Sequence, residues 1–257
     1  MKDRIFLHRA YKRLPGVTWR QMAGMVVIVG LFEAGLVLWH EPLTSGFVAA
    51  VAAVLTRCGV PSATFVAPFL PHLVETMPVL TTAYSFPGKE FSLICLLLAT
   101  LALVVVPSLR RLPRALVIYT CFFAMLTVVS GAFFILVPEL FPYDMSEFSR
   151  LYMGTELGIW FMLPLVMGLA LGPVPAPLAE KALVILVNLA YSLVFGAVRF
   201  ATFVIVLREA SVFFMAGLFF ALGPFVDFVY VVAIYSLYLN HVSLRLRGSE
   251  RTWQWSS

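Results

Sequence analysis

The sequence predicts an all-α protein, a polytopic bundle of transmembrane helices, and three observations carry that prediction. Hydrophobic residues make up 61% of the 257 and charged residues 12%, with a mean hydropathy of +0.97; soluble domains average about 45–50% apolar and about 25% charged. Apolar runs recur from Met22 to Asn240, many of them near the roughly 20 residues that a helix needs to cross a bilayer. Apart from Arg199, Lys and Arg cluster between those runs and not within them. The length holds roughly six to eight spans with short loops and leaves no sizeable soluble domain. Any chemistry is therefore expected in or at the bilayer. The net charge of +5 reads as topology, because cytoplasmic loops collect basic residues, and nucleic acid is not expected as a partner. Cys58, Cys95 and Cys121 are scattered without a CxxC spacing, so neither a disulfide framework nor a thiolate metal site is expected, and no cofactor is called for.

In chain order, residues 1–21 form a basic interfacial arm with Lys2, Arg4, Arg9, Lys12, Arg13 and Arg20. Leu7, Tyr11 and Leu14 fall at helical spacing among these charges, the pattern of a short helix on an anionic leaflet. No A-x-A-like cleavage site follows the first apolar run, so the first span is expected to be retained. Residues 22–240 form a single transmembrane domain. Span one covers Met22–Trp39, carries Glu33 and ends at Trp39-His40, an interfacial pair. Leu43–Leu55 is a short, Ala-rich second span stopped by Arg57. Val60–Phe86 carries Pro61, Pro68, Pro71 and Pro78; backbone that cannot donate survives at membrane depth only when protein or a water-filled cavity surrounds it. A broken span, a re-entrant segment and a surface loop all fit this stretch.

Phe91–Val106 is a clean span, closed by Pro107 and the basic turn Arg110-Arg111-Leu112-Pro113-Arg114. Ala115–Val137 follows, then an acidic segment from Pro138 to Arg150 with Glu139, Asp144 and Glu147. Glu156–Leu171 is a span containing Pro164, and Gly172–Pro177 is a Pro-rich turn. Residues 181–240 form a long helical hairpin with spans Leu183–Leu207 and Ser211–Leu239. Residues 241–257 are a basic tail with Arg245, Arg247, Arg251 and the interfacial candidates Trp253 and Trp255. Eight alternating spans put the N-terminal arm, Arg57, the Arg110 turn, Lys181 and the tail on one side, which then holds most of the 18 Lys and Arg. That asymmetry predicts both termini in the cytoplasm, with a bacterial inner membrane as the expected location. If residues 43–86 do not cross, six spans remain; eight is the preferred count.

Charges inside the apolar runs are the functional candidates, because burying one in lipid costs roughly 2.5–3.5 kcal/mol on insertion scales. They are Glu33, Arg199 and Asp227. At about 1.5 Å rise per residue, Glu33 and Arg199 lie at matching depths from the outer side, which predicts an intramembrane Glu33–Arg199 pair; the alternative is Arg199 reaching outward to Glu156 or to headgroups. Asp227 lies about 24 Å below the outer end of its run, too deep for Arg199 on a straight hairpin. Its expected partner is Asn188 or a group from another subunit. Gly223-Pro224 precedes Asp227 and frees backbone carbonyls, and a broken helix beside a buried carboxylate is a way in which transporters build ion sites; a packing kink is the plainer reading. Arg150 and Glu156 are placed at the outer face. His72 and Glu75 lie one helical turn apart but among prolines, which fits an interfacial loop better than a metal site. The Phe-rich last run, from Phe213 to Phe228, suits lipid or subunit packing, or a hydrophobic ligand such as a lipid, quinone or pigment.

The runs "LTRCGVPSA", "YSFPGKEFSLIC" and "SLRRLPR", followed by two further spans, resemble in layout the exosortase and archaeosortase membrane transpeptidases. The resemblance covers about Val51 to Leu171. It implies a nucleophilic cysteine near the outer start of a span, a place that Cys95 occupies. Leu96-Leu97 stand where the family has Ser-Gly, no Arg falls between Ala115 and Val137, and only Arg150 or Glu156 stands in for the later basic residue. The catalytic motif is thus not retained, and a cysteine without a base or cation beside it is a poor nucleophile.

The expected function is a non-catalytic subunit or assembly component of a larger membrane complex, with the lipid bilayer and other membrane protein subunits as partners. A cysteine transpeptidase or protease using Cys95 is the alternative, and a small carrier or proton-coupled subunit using Asp227, Glu33 and Arg199 is a further one.

Overall fold

The computed structural model describes residues 18–70, 74–109 and 112–246. The basic arm up to Val17, His72, the Arg110-Arg111 pair and the tail beyond Leu246, with Arg247, Arg251, Trp253 and Trp255, lie outside the described residues, as does the side chain of Glu75. The elements are α1 (Trp19–Arg57), β1 (Ala63–Leu70), β2 (Val74–Thr81), α2 (Lys89–Val105), α3 (Arg114–Leu136), α4 (Met145–Leu171), α5 (Leu178–Glu209), α6 (Met215–Leu222) and α7 (Pro224–Leu246). Six stretches among the described residues are long and apolar enough to cross a membrane: Trp19–Arg57, Lys89–Ser108, Arg114–Leu136, Met145–Leu171, Leu178–Glu209 and Val212–Arg245. The chain is a helical, multi-pass integral membrane protein.

Residues 43–86 differ from expectation in two ways. No separate helix covers Leu43–Leu55: α1 runs unbroken for 39 residues through Pro42. Proline removes the N–H that would have served the Leu38 carbonyl, yet the helix continues past it; on the following turn the Thr44 hydroxyl donates to the His40 carbonyl at 2.8 Å and the Ser45 hydroxyl to the Pro42 carbonyl at 3.2 Å. Trp39-His40 therefore sits inside the helix and not at its end. The helix stops where Gly59 adopts φ 73°. Its N–H donates to the Thr56 carbonyl at 3.0 Å and that of Val60 to the Leu55 carbonyl at 2.9 Å, the paired bonds of a Schellman motif.

The described residues of Val60–Phe86 are not helical either. Its core is an antiparallel hairpin in which Ala63 faces Thr81 and Leu70 faces Val74. Four prolines deny this stretch a helix, whereas a two-stranded sheet has only edge strands, which tolerate them; Pro68 lies opposite Thr76 and Pro78 opposite Val66. The helices of span length number six among the described residues, the lower of the two counts. The all-α class carries one two-stranded exception.

The start of α4 is the second correction, because the helix begins at Met145 and not at Glu156. Asp144 caps it: Oδ1 accepts the Glu147 N–H and the Ser146 hydroxyl, both at 2.7 Å, and its carbonyl accepts the Phe148 N–H at 3.0 Å. Those bonds hold the Asp144 carboxyl below the usual carboxylate range, the Glu147 N–H contributing most. The consequence is positional: Glu156 moves from the end of a span to the interior of one.

Two compact units divide the chain. One comprises Met1–Leu38, Trp160–Ala190 and Tyr230–Ser257. Within it Met25, Leu163, Met167, Leu171, Ile185 and Val242 are buried, Arg245 pairs with Glu180 at 2.7 Å, and the fully buried Lys181 donates from Nζ to the Gly172 carbonyl at 3.0 Å. The other comprises Trp39–Ile159 and Tyr191–Val229. Here α2 packs on α3, and Phe91, Phe134 and Phe213 lie in ring contact. The Tyr119 hydroxyl donates to the Ala221 carbonyl at 2.9 Å, and the Val212 N–H to the Ser85 carbonyl at 3.0 Å. These bonds fix the entry and exit of α6 within this unit.

Candidate functional site

In the second unit, α4, α5 and the break between α6 and α7 bring Tyr152, Glu156, Arg199, Gly223 and Asp227 together. Arg199 is 6% exposed, Glu156 1% and Asp227 3%. Arg199 Nη2 pairs with Glu156 Oε1 and, at 2.8 Å, with Asp227 Oδ2. Nε donates to the Tyr152 hydroxyl at 2.9 Å and Nη1 to the Gly223 carbonyl at 3.0 Å. Every guanidinium nitrogen is engaged, as a charge removed from water requires. Tyr152 in turn donates to the Gly196 carbonyl at 3.0 Å. The guanidinium carbon also lies 5.5 Å from the Tyr152 ring centre and 5.6 Å from that of Phe195, within cation–π range.

Helical spacing explains the convergence. Tyr152 and Glu156 stand four residues apart on α4, as Phe195 and Arg199 do on α5, so each pair shares one face. Gly196 leaves room between those faces: a Cβ there would stand 2.9 Å from Glu156 Oε2. The third contribution is a backbone one. After Leu222 the helical ladder breaks at Gly223 (φ −82°, ψ −119°), whose carbonyl accepts from Arg199 and also from the Val226 N–H at 3.0 Å. Pro224 opens α7 with no N–H to waste. Asp227 then falls in the first turn of α7, where the helix dipole favours a carboxylate.

One arginine therefore faces two carboxyl groups. With both ionised the cluster carries net charge −1, and one bound proton makes it neutral. In a low-dielectric interior an uncompensated charge costs several kcal/mol, roughly, even after relaxation. The arrangement can hold a proton between Glu156 and Asp227 and exchange it when its surroundings change.

The structure redistributes the expected residues. Glu33 is not the partner of Arg199; it lies half-buried on α1 in the other unit, its Oε1 buried without a hydrogen-bond partner among the described residues. The carboxyl of Asp227 pairs with Arg199, and Asn188, expected to be its partner, donates from Nδ2 to its own helix at Val184, 2.9 Å away. The depth argument that separated Asp227 from Arg199 fails because it assumed one straight helix from Ser211, whereas the chain breaks at Gly223 and re-enters helix beside α5. Glu156 leaves the outer face for the cluster. Arg150 remains exposed and pairs with Glu147 at 2.6 Å. Cys95 is a half-buried free thiol on α2, and the two groups that could have served it, Arg150 and Glu156, are engaged elsewhere.

Sequence reasoning missed Tyr152, Gly196 and the Gly223 carbonyl. The signal for the first was present, since Asp144 and Glu147 have capping-box spacing; starting the helix there puts Tyr152 and Glu156 on one buried face. No group of three or more His, Cys, Asp or Glu that could hold a metal ion occurs among the described residues. Comparison with protein-family models, with curated proteins and with solved structures finds no match to this chain.

Proposed function

We propose that this membrane protein is a proton-coupled carrier or coupling subunit in which Glu156, Arg199 and Asp227 load and release one proton. The observation that carries the reading is the odd charge count of a buried cluster formed at a broken helix. Glu156 lies about 16 Å along α4 from Met145 and Arg199 about 15 Å along α5 from Glu209, at about 1.5 Å per residue. With those helix ends at the interface, the cluster sits near the middle of a hydrocarbon layer about 30 Å thick. Unwound carbonyls and half-helix starts at that depth are the elements from which ion-coupled transporters make their sites. Six crossings would put both termini on the same side, and the Arg110–Arg114 turn, Lys181 and the tail make that side the cytoplasmic one.

Infrared difference spectra of the lipid-reconstituted protein, recorded against pH, test the proton. A protonated carboxyl band should appear as the pH is lowered and should vanish in Glu156→Gln or Asp227→Asn. A wild-type protein with no such titrating band would reduce the cluster to a structural ion triad.

A second reading, a non-catalytic subunit of a membrane assembly, is favoured by the hairpin. Among the described residues neither strand has a neighbour on its outer edge, and Phe65 and Val66 of β1 are exposed, a surface suited to pairing with another chain. Mass spectrometry of the protein purified from native membranes should then find a stoichiometric companion that Val66→Asp removes. A solitary protein excludes this reading.

A further inference from the structure

Two serines in the same unit have no counterpart in the account so far. Ser149 on α4 and Ser192 on α5 are completely or almost completely buried, and neither Oγ has a hydrogen-bond partner among the described residues. Most hydroxyls in apolar helices bond the carbonyl four residues back, as Thr44, Thr56, Thr100, Thr127, Thr155 and Thr202 do here. Ser149 and Ser192 do not. A buried hydroxyl without a protein partner calls for an ordered water.

Their positions are not scattered. Ser149 lies three residues before Tyr152 and seven before Glu156, on the same face of α4. Ser192 lies four residues before Gly196 and seven before Arg199, on the same face of α5. Tyr152 stacks on Phe200 and meets Phe203 edge-on, whereas Glu156, one turn further along α4, faces Gly196, one turn earlier on α5; the two helices therefore run antiparallel at the cluster, and the serines extend from it in opposite directions along the helix axes. Glu156 Oε2, the carboxylate oxygen that faces Gly196, is also buried without a partner. Three unpartnered polar atoms thus flank or belong to the charged cluster.

We propose that Ser149 and Ser192 are the two approaches of a hydrated proton path that passes through Tyr152 and ends on Glu156 Oε2. Each hydroxyl accepts a proton on its oxygen as it gives up its own to the next acceptor, so serine stores no charge and the carboxyl receives the net proton. Water supplies the links across each helical turn. The path deepens the proton-coupled reading and rests on it.

Deuteration of the buried carboxyl tests the path separately from the site. When the reconstituted protein is transferred to heavy water, the carboxyl band shifts as its proton exchanges. Ser149→Ala and Ser192→Ala should each retain the band and slow its shift by about tenfold or more, the rate equivalent of one lost hydrogen bond in the relay. Ser149→Thr and Ser192→Thr, which keep the hydroxyl, should exchange close to the wild-type rate. Equal rates in wild type and both alanine variants overturn the path while leaving the site intact, and so does equal slowing in the threonine variants. A wild-type spectrum without the band removes the underlying reading itself.

Discussion

Arg199→Met is expected to destabilise the folded protein by about 3–5 kcal/mol, the usual cost of removing one partner from a buried ion pair. The substitution preserves much of the side chain's length and apolar bulk, so lost packing contributes little. What remains is Glu156 and Asp227 facing each other without a counter-charge, together with a Tyr152 hydroxyl and a Gly223 carbonyl deprived of their donor. The measurement is denaturant-induced unfolding in lipid or mild detergent, followed by loss of helical signal. Adding Glu156→Gln and Asp227→Asn to Arg199→Met should recover more than half of the loss, because residues in one charge network are strongly non-additive. A triple variant as unstable as the sum of its parts would show that the three groups are not energetically one unit.

Gly223→Ala is expected to be nearly as damaging, at about 3 kcal/mol or more, the upper end of the cost of overpacking. The reason is the space that a side chain would need. A Cβ at this position would collide with the Phe219 carbonyl oxygen, and that oxygen belongs to a helix backbone that cannot swing aside as a side chain can. Relief requires α6 to shift, which moves the Gly223 carbonyl off Arg199 and Asp227 off Nη2. The variant should therefore lose stability in the same unfolding assay and, unlike a remote packing mutant, also alter the carboxyl infrared band. Pro224→Ala is the control: it leaves that space unchanged and should cost far less. Equal stability of Gly223→Ala and wild type would mean that the break is not held as described.

Helix identity was largely legible in the sequence, and helix limits were not. Hydropathy located Phe91–Val106 and Ala115–Val137 closely, because these spans are apolar from end to end and bounded by Pro107 and the basic turn. It failed where polar residues lie inside a helix. The averages around Glu147, Arg150 and Glu156 read as a loop, although Asp144 and Glu147 carry the local chemistry of a helix start. Trp39-His40 read as an interfacial end, although α1 continues through it to Arg57. For the site, the sequence exposed the costly charges Arg199 and Asp227 and offered Glu156 as the alternative partner of Arg199, but it preferred Glu33 and kept Asp227 apart from Arg199. Depth counted along a straight helix is valid only if the helix is continuous, and the Gly223-Pro224 signal that had been noticed was not carried into the count. Tyr152 could be reached only through the helix start at Asp144, and Gly196 had no signal of its own, since a glycine in an apolar run is ordinary until a neighbouring helix approaches it.

The order of the three charges along the chain also bears on how the protein enters its membrane. Glu156 is made first, Arg199 next and Asp227 last, each on a different helical segment. An α5 segment arriving alone would have to place an arginine in lipid at a cost of roughly 2.5–3.5 kcal/mol, but α4 precedes it with a carboxylate to receive the guanidinium. The two form a neutral pair that the bilayer accepts more readily than either charge alone. Only when α7 docks does the balance tip, and its arrival brings a carboxyl that the pair does not need for neutrality. On the proposed reading the cluster gains room for a proton only at this last step of assembly, so a chain halted before Asp227 is left with the neutral Glu156–Arg199 pair alone.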